Sequence, residues 1–586
     1  MDSTQQTSAE EQTAERTSET SGLNEDRGPE FTVRAVVVGT FISLLVIAAN
    51  IYMGLKIGFT EGCAILSAIL CFAIVRGFGG RLTILENNIG QTLASGAATT
   101  GIMVSVIPAL IMLGLPMGTF DTMAWIFMVS IVGVLYAVPL RKQYVVMEAL
   151  PFPTGTACAT TIRAMHAKGE NALKQARVLG LTGLVSGVIT WFRDGVPGII
   201  PAMSMLPFQL AGIPAGRLTL GLNWSPMLFG VGFLVGPRIG ASLFLGGIIG
   251  SAILGPLLVS AKIIAGPGHS MITNWTMWFA IPLMVTAGFV ALLMKGGMVL
   301  KAFQSMKEAA GQKKFEEAFS FRLWVVTLLV AGLGTAILMD VIFQIPFWMS
   351  VLALVLSFLL ASIAVRAYGE TDISPIGTMG HATQILFGGL APGQMLTNVM
   401  TAGITSGCAN SAVDMMQDLK TGYLLGSTPR KQLYAQFIGV LVGAVVAVPV
   451  FNALVKAYGL GSEALPAPAA VLWSGMAKLL SHGFGSLPEY AGYAVAAGTL
   501  LGILLALLET GRWKKYTPSP LGMGIGIVVP AFFTITIFLG SLVGMGLGRL
   551  FPKWNEEALL PVASGAIAGE AIVGIVVAAL TVFAIL

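Results

Sequence analysis

Four stretches of this chain, Ala35–Leu55, Ile239–Ala261, Val341–Val365 and Gln432–Val455, each run for more than twenty residues without a charged side chain. A helix needs roughly 20 apolar residues to cross a hydrocarbon core of about 30 Å, and only helices or closed barrels satisfy their own backbone there. The expected fold class is therefore an all-α polytopic membrane protein. Composition agrees: of 586 residues, 55% are hydrophobic and 10% charged, against about 25% charged in a soluble domain. A water-facing surface cannot be built from that supply, which excludes soluble enzymes and nucleic-acid-binding domains. Further spans are expected near 58–75, 88–113, 122–140, 178–203, 219–235, 275–294, 323–340, 395–413, 490–508, 521–535, 536–550 and 565–586. With the first four they make about sixteen transmembrane helices (14–18).

Three apolar stretches, 150–162, 375–390 and 466–481, are interrupted by Pro, Gly and small polar residues. Broken or re-entrant segments persist at membrane depth only where they are buried or line a cavity, so these are candidate site segments. Residues 1–30 are acidic, polar and nearly free of large apolar side chains. Such a segment cannot form a core, and it is expected to be a disordered, dispensable tail without the features of a cleavable signal peptide. Beyond it the charge balance turns basic, as for loops beside a membrane, and implies no nucleic-acid partner.

The longest polar loop, 296–321, sits near the midpoint and divides a first membrane half, 31–295, from a second, 322–586. Sliding the chain by 294 residues aligns Ser225–Gly232 (SPMLFGVG) with Ser519–Gly526 (SPLGMGIG), and Leu245–Gly250 with Leu539–Gly544. Two internally repeated halves follow, a plan under which a substrate site lies at their interface. No GxxxxGK[ST], HExxH or GxSxG motif occurs, and neither a cofactor nor a compact metal-ligand set is expected. The four cysteines read as packed thiols.

Ionisable and amide residues inside apolar surroundings are the informative ones, because burying them is expensive without a partner or a task. The first cluster is Asn50, Tyr52 and Lys56, with Glu61 beyond the break at Gly58; solvated charges at an interfacial turn are the plainer alternative. In the second, Glu86 precedes Asn87, Asn88 and Gln91, and Asn87 and Gln91 share a helix face at i, i+4. Glu86 either caps a helix or serves as the coupling acid, for which it is the preferred candidate. In the third, Glu148 leads into Pro151-Phe152-Pro153, and Thr154 and Thr156 begin a helix whose N-terminus suits an anion. The second half offers His381 and Gln384, the stripe Asn410, Asp414, Asp418, and Glu570 in a long uncharged stretch.

At these clusters the chain resembles the oligopeptide transporter superfamily, which includes the yellow-stripe-like metal-chelate transporters. The resemblance is carried by Asn50–Gly58 (NIYMGLKIG), Glu86–Gly96 (ENNIGQTLASG), Glu148–Ala157 (EALPFPTGTA), Ser374–Gly380 (SPIGTMG) and Asp418–Gln436 (DLKTGYLLGSTPRKQLYAQ). It implies roughly sixteen spans and proton-driven uptake of short peptides or of metals bound to amino-acid-derived chelators. The resulting expectation is a symporter in the plasma (cell) membrane whose partners are a small-molecule substrate, protons and lipid, with homodimers allowed. A passive channel and an intramembrane enzyme are the alternatives from other classes.

Overall fold

The computed structural model describes residues 28–58, 60, 63–167, 169–195, 199–294, 297, 321–371, 376–483, 487–510 and 516–582. The acidic segment to residue 27, Glu61 and most of the loop 296–321 lie outside the described residues. Helices make up nearly everything else. In the first part these are α1 (Val33–Ile57), α2 (Ala64–Gly77), α3 (Ile84–Ala98), α4 (Met103–Met112), α5 (Thr119–Arg141), α6 (Pro153–Ala167), α7 (Gly169–Thr190), α8 (Pro226–Gly247), α9 (Gly255–Ser260) and α10 (His269–Met294). The second part holds α11 (Phe321–Val341), α12 (Phe347–Thr371), α13 (Ile376–Leu390), α14 (Met395–Leu425), α15 (Pro429–Tyr458), α16 (Pro468–His482), α17 (Ala491–Thr510), α18 (Pro520–Val528), α19 (Ala531–Leu550), α20 (Pro552–Glu557) and α21 (Leu559–Val582). Two small antiparallel ribbons, β1 (Met203–Met205) with β4 (Gly221–Asn223) and β2 (Gln209–Leu210) with β3 (Ile213–Pro214), form the only sheets among the described residues.

Among those residues eleven helices are long and apolar enough to cross a membrane. The three stretches expected to be broken form α6, α13 and α16, each 15 residues long. At 1.5 Å per residue each reaches about 22 Å, short of the hydrocarbon thickness. Their polar ends must therefore lie against protein. The spans expected near 219–235 and 239–261 fall on either side of a real break: two helices meet at Gly236 (φ 72°, ψ 174°), where Pro237 follows. Only the start of the first is corrected, since residues 221–223 are strand and the helix begins at Pro226. The span expected at 521–535 is the nine-residue α18, which ends before Pro530.

The 294-residue shift reappears as geometry. Ser225 and Ser519 cap α8 and α18 through the same bond, each hydroxyl accepting from the backbone N–H three residues on, with Pro at the next position. Gly232 packs on the carbonyl of Ile537, and its image Gly526 packs on the carbonyl of Leu243, the image of Ile537. Gly246 meets the carbonyl of Met523, while Gly540 meets that of Phe229. Contacts exchanged in this way are those of a two-fold axis. Glycine is required at all four positions because a Cβ would strike backbone.

One end of the acidic segment is structural. The Glu30 carboxylate accepts from the backbone N–H (3.1 Å) and hydroxyl (2.9 Å) of Thr428, at the start of α15. A carboxylate is stabilised at a helix N-terminus, so residues 28–30 belong with the fold and not with the tail expected over 1–30.

Candidate functional site

The site is organised by α14. Of its 31 residues 25 are buried, although the helix is rich in Thr, Ser, Asn, Gln and Asp. A helix that is polar on every side and still buried must be met by polar partners or by internal openings. Both occur. Between Thr397 and Gly422 only Asn410 and Asp414 escape full burial. They stand one turn apart, and Asn410 is the midpoint of the helix. Asn410 donates to the Thr99 carbonyl at 3.3 Å, whereas Asp414 makes no side-chain hydrogen bond or ion pair among the described residues.

One turn further, Asp418 is fully buried and ringed by amides. Gln91 of α3 donates to its Oδ1 at 2.6 Å. Gln436 of α15 donates to its Oδ2 at 3.2 Å, and to the Thr92 carbonyl at 2.9 Å, in the amide orientation that pairs donors with acceptors. Gln432 donates to the Asp418 carbonyl oxygen at 2.7 Å. Among the described residues, several buried side-chain atoms on α3 and α15 have no hydrogen-bond partner: both amide atoms of Asn87 and of Asn88, the Oε1 of Gln91 and the Oε1 of Gln432. Leaving a buried polar group unsatisfied costs about 1–3 kcal/mol. Buried amides on neighbouring helices offer donors and acceptors that water, an ion or a solute can use.

A second buried polar centre surrounds Glu570 of α21. Its carboxylate meets Lys56 Nζ (3.1 Å), Arg193 Nη2 (3.1 Å), the Ser225 hydroxyl (2.7 and 2.8 Å) and the Met227 backbone N–H (2.8 Å). Arg193 also grips Asp194 with two bonds of 2.6–2.7 Å and donates to the Trp224 carbonyl. The Lys56 ammonium lies 4.6 Å from the Tyr52 ring centroid. Two cations and two carboxylates balance here, and every oxygen of Glu570 is engaged. Lys56 and Tyr52 on α1, and Glu570 514 positions from Lys56, thus form one unit that no local pattern announced.

The remaining candidates take separate positions. Glu86 completes a capping box with Thr83 at the start of α3 and is held by Arg34 (2.6 and 2.8 Å) and Thr32. Its carboxylate faces away from the Asn87–Asn88–Gln91 amides toward a half-exposed arginine. Glu148 pairs with Arg366 at 2.7 Å and accepts from Gln143. Thr154 sits in the first turn of α6, and the Thr156 hydroxyl donates back to the Pro151 carbonyl at 2.6 Å. His381 contacts Gln384 at 2.8 Å, and Gln384 is held in turn by Asn398 and the Trp473 carbonyl. Asn50 borders an apolar cleft of about 530 Å3 between α1, α2, α7 and α21. The cleft is lined by side chains such as Leu184, Trp191 and Ile572 and is distinct from the polar ring on α14.

Sequence reasoning missed Arg193, Asp194, Ser225, Gln432 and Gln436. Arg193-Asp194 was detectable as a charge pair inside an apolar span. Gln432 and Gln436 lie at i, i+4 in the segment that carries the family resemblance, yet read as the polar start of a helix.

Eleven helices of membrane-spanning length around a buried polar ring on α14 define a multi-pass membrane protein with a polar centre among its helices. The comparisons with known proteins agree and narrow the class. Residues 30–581 match the family described as OPT oligopeptide transporter protein, so the chain belongs to the OPT oligopeptide transporter family. It is 26% identical to a probable metal-nicotianamine transporter of Oryza sativa subsp. japonica, over 93% of this chain and 85% of that one. A putative oligopeptide transporter of Saccharomyces cerevisiae is 25% identical over 87% of this chain and 90% of its own. One of Haemophilus influenzae is 26% identical over 90% and 92%. The protein is a multi-pass membrane transporter of small molecules, and its family comprises transporters, not enzymes.

Proposed function

We propose that this transporter is a proton-driven symporter of short oligopeptides in the plasma membrane, with its substrate chamber beside the middle of α14. The observation that carries the reading is the set of unpartnered buried amides, Asn87, Asn88, Gln91 and Gln432, next to the open positions Asn410 and Asp414. Amide groups offer both donors and acceptors, which suits the peptide groups and termini of a short peptide. The two halves, 31–295 and 322–586, move about the exchanged glycine contacts of α8, α18 and α19 in this reading. Metal–chelate uptake is the second reading, favoured by the rice relative named as a metal-nicotianamine transporter. A chelate of that kind presents carboxylates and amines to the same amides.

The test is uptake into proteoliposomes of a panel of di- to hexapeptides and a panel of metal–nicotianamine complexes, each with and without an imposed pH gradient. Peptide accumulation that requires the acidic outer side supports the first reading. Accumulation restricted to the complexes moves the assignment to the second. Flux of either that never exceeds equilibrium overturns symport in favour of a channel.

A further inference from the structure

We propose that Asp418, together with Asp414 one turn before it, is the site that binds and releases the coupling proton. This rests on the symport reading above and names the group that performs it. A buried carboxylate held by arginine or lysine is fixed in its charged form, because protonation would strand the cation. Asp418 is held by amides instead. An amide NH2 donates to a carboxylate without carrying a charge that would fix it in the ionised form. In the orientation that satisfies it, the Gln436 NH2 spans Asp418 Oδ2 at 3.2 Å and the Thr92 carbonyl at 2.9 Å.

The surroundings supply no competing charge at the acid itself. From α3 it meets Gln91 and Ser95, from α15 Gln432 and Gln436, and from α6 the Cys158 thiol. Asp414 is the neighbouring carboxylate on its own helix. Cations on α5, α6, α12 and α15, which pack against α14, have other partners; Lys431 of α15 faces Glu30. Arg163 of α6 donates to the Leu424 carbonyl, Arg141 of α5 lies beside Tyr423, and Arg366 of α12 pairs with Glu148 and Glu370. Tyr368 of α12 donates to Gln417, His381 of α13 is paired with Gln384, and Lys420 is not without a partner. Two adjacent acids without a cation cannot both carry charge cheaply, so a proton is the natural third member. Asp414, the less buried of the two, takes the proton from water; Asp418, one turn on and fully buried, stores it against Gln91 and Gln436. The step transfers one proton and leaves every covalent bond to carbon intact.

The variants Asp418→Asn and Asp414→Asn are compared with the parent in proteoliposomes, using the peptide and metal–nicotianamine panels. Expected for Asp418→Asn is loss of accumulation under a pH gradient with exchange of preloaded probe retained. Asp414→Asn is expected to slow accumulation and shift its dependence on pH. Pumping by Asp418→Asn at the parental rate overturns the assignment. Should Asp418→Asn fail to fold, difference infrared spectra of the parent after a pH jump decide the matter. A carboxylic-acid carbonyl band that Asp414→Asn perturbs is expected, and its absence overturns the proposal. A parent that accumulates probe only with a sodium gradient refutes the symport reading itself, and a parent driven by protons with an unaffected Asp418→Asn refutes only this inference.

Discussion

Glu570 and Asp418 are both buried carboxylates on helices of the second half, and they are held in opposite ways. Glu570 faces Lys56 and Arg193, a hydroxyl and a backbone N–H, so its charge is matched and fixed. Asp418 faces the Gln91 and Gln436 amides, which carry no charge. The first arrangement ties α21 to α1, to the turn after α7 and to the N-terminus of α8. The second leaves a group free to change charge. Burial alone does not make an acid functional; the kind of partner decides which role it takes.

The largest effect that sharpens this contrast is on stability. Glu570→Gln leaves Lys56 and Arg193 with Asp194 as their sole carboxylate, and breaking a buried ion pair costs about 3–5 kcal/mol. Thermal unfolding in detergent should show a large fall in Tm. The double variant Lys56→Gln, Glu570→Gln restores neutrality and should recover part of it. Equal losses in the single and double variants would break the charge-matching account. Next is Gln436→Lys, which gives Asp418 a cation and converts the second arrangement toward the first. Proton-driven accumulation should disappear while the protein remains folded by size-exclusion chromatography.

Asp418→Asn keeps hydrogen bonds to the same amides and should shift stability by only about 1 kcal/mol, far less than Glu570→Gln, while abolishing coupling. The smallest effect is expected at Glu86. Its replacement by Gln weakens a helix cap by about 1 kcal/mol and leaves coupling intact, because its carboxylate lies on the Arg34 side of α3. Loss of coupling in Glu86→Gln would return the role to the acid favoured by sequence alone.

What the sequence revealed follows from the range of the interactions. Prolines and glycines in 150–162, 375–390 and 466–481 act on their own backbone, and those segments are the 15-residue helices α6, α13 and α16. The stripe Asn410, Asp414, Asp418 was readable because helical spacing is local. The repeat was readable from Ser225-Pro226 and Ser519-Pro520, whose caps prove equivalent. The Lys56–Glu570 pair was not, since its members were seen as separate buried charges with nothing local to join them. Glu86 was grouped with Asn87 and Gln91 by adjacency, whereas the helix turns its carboxylate toward Arg34. The break at Gly236 falls between the spans expected at 219–235 and 239–261, whereas the left-handed φ there is permitted by glycine but not announced by it.

The central claim is that protons move with substrate through the Asp414–Asp418 pair, and lumenal pH tests it most directly. Proteoliposomes loaded with a pH-sensitive dye, at equal pH on both sides, receive an inward gradient of whichever peptide or metal–nicotianamine probe the parent transports. The account predicts that the lumen acidifies in step with uptake in the parent and stays at its starting pH in Asp418→Asn, although that variant still equilibrates the probe. Uptake by the parent with no change in lumenal pH would contradict it.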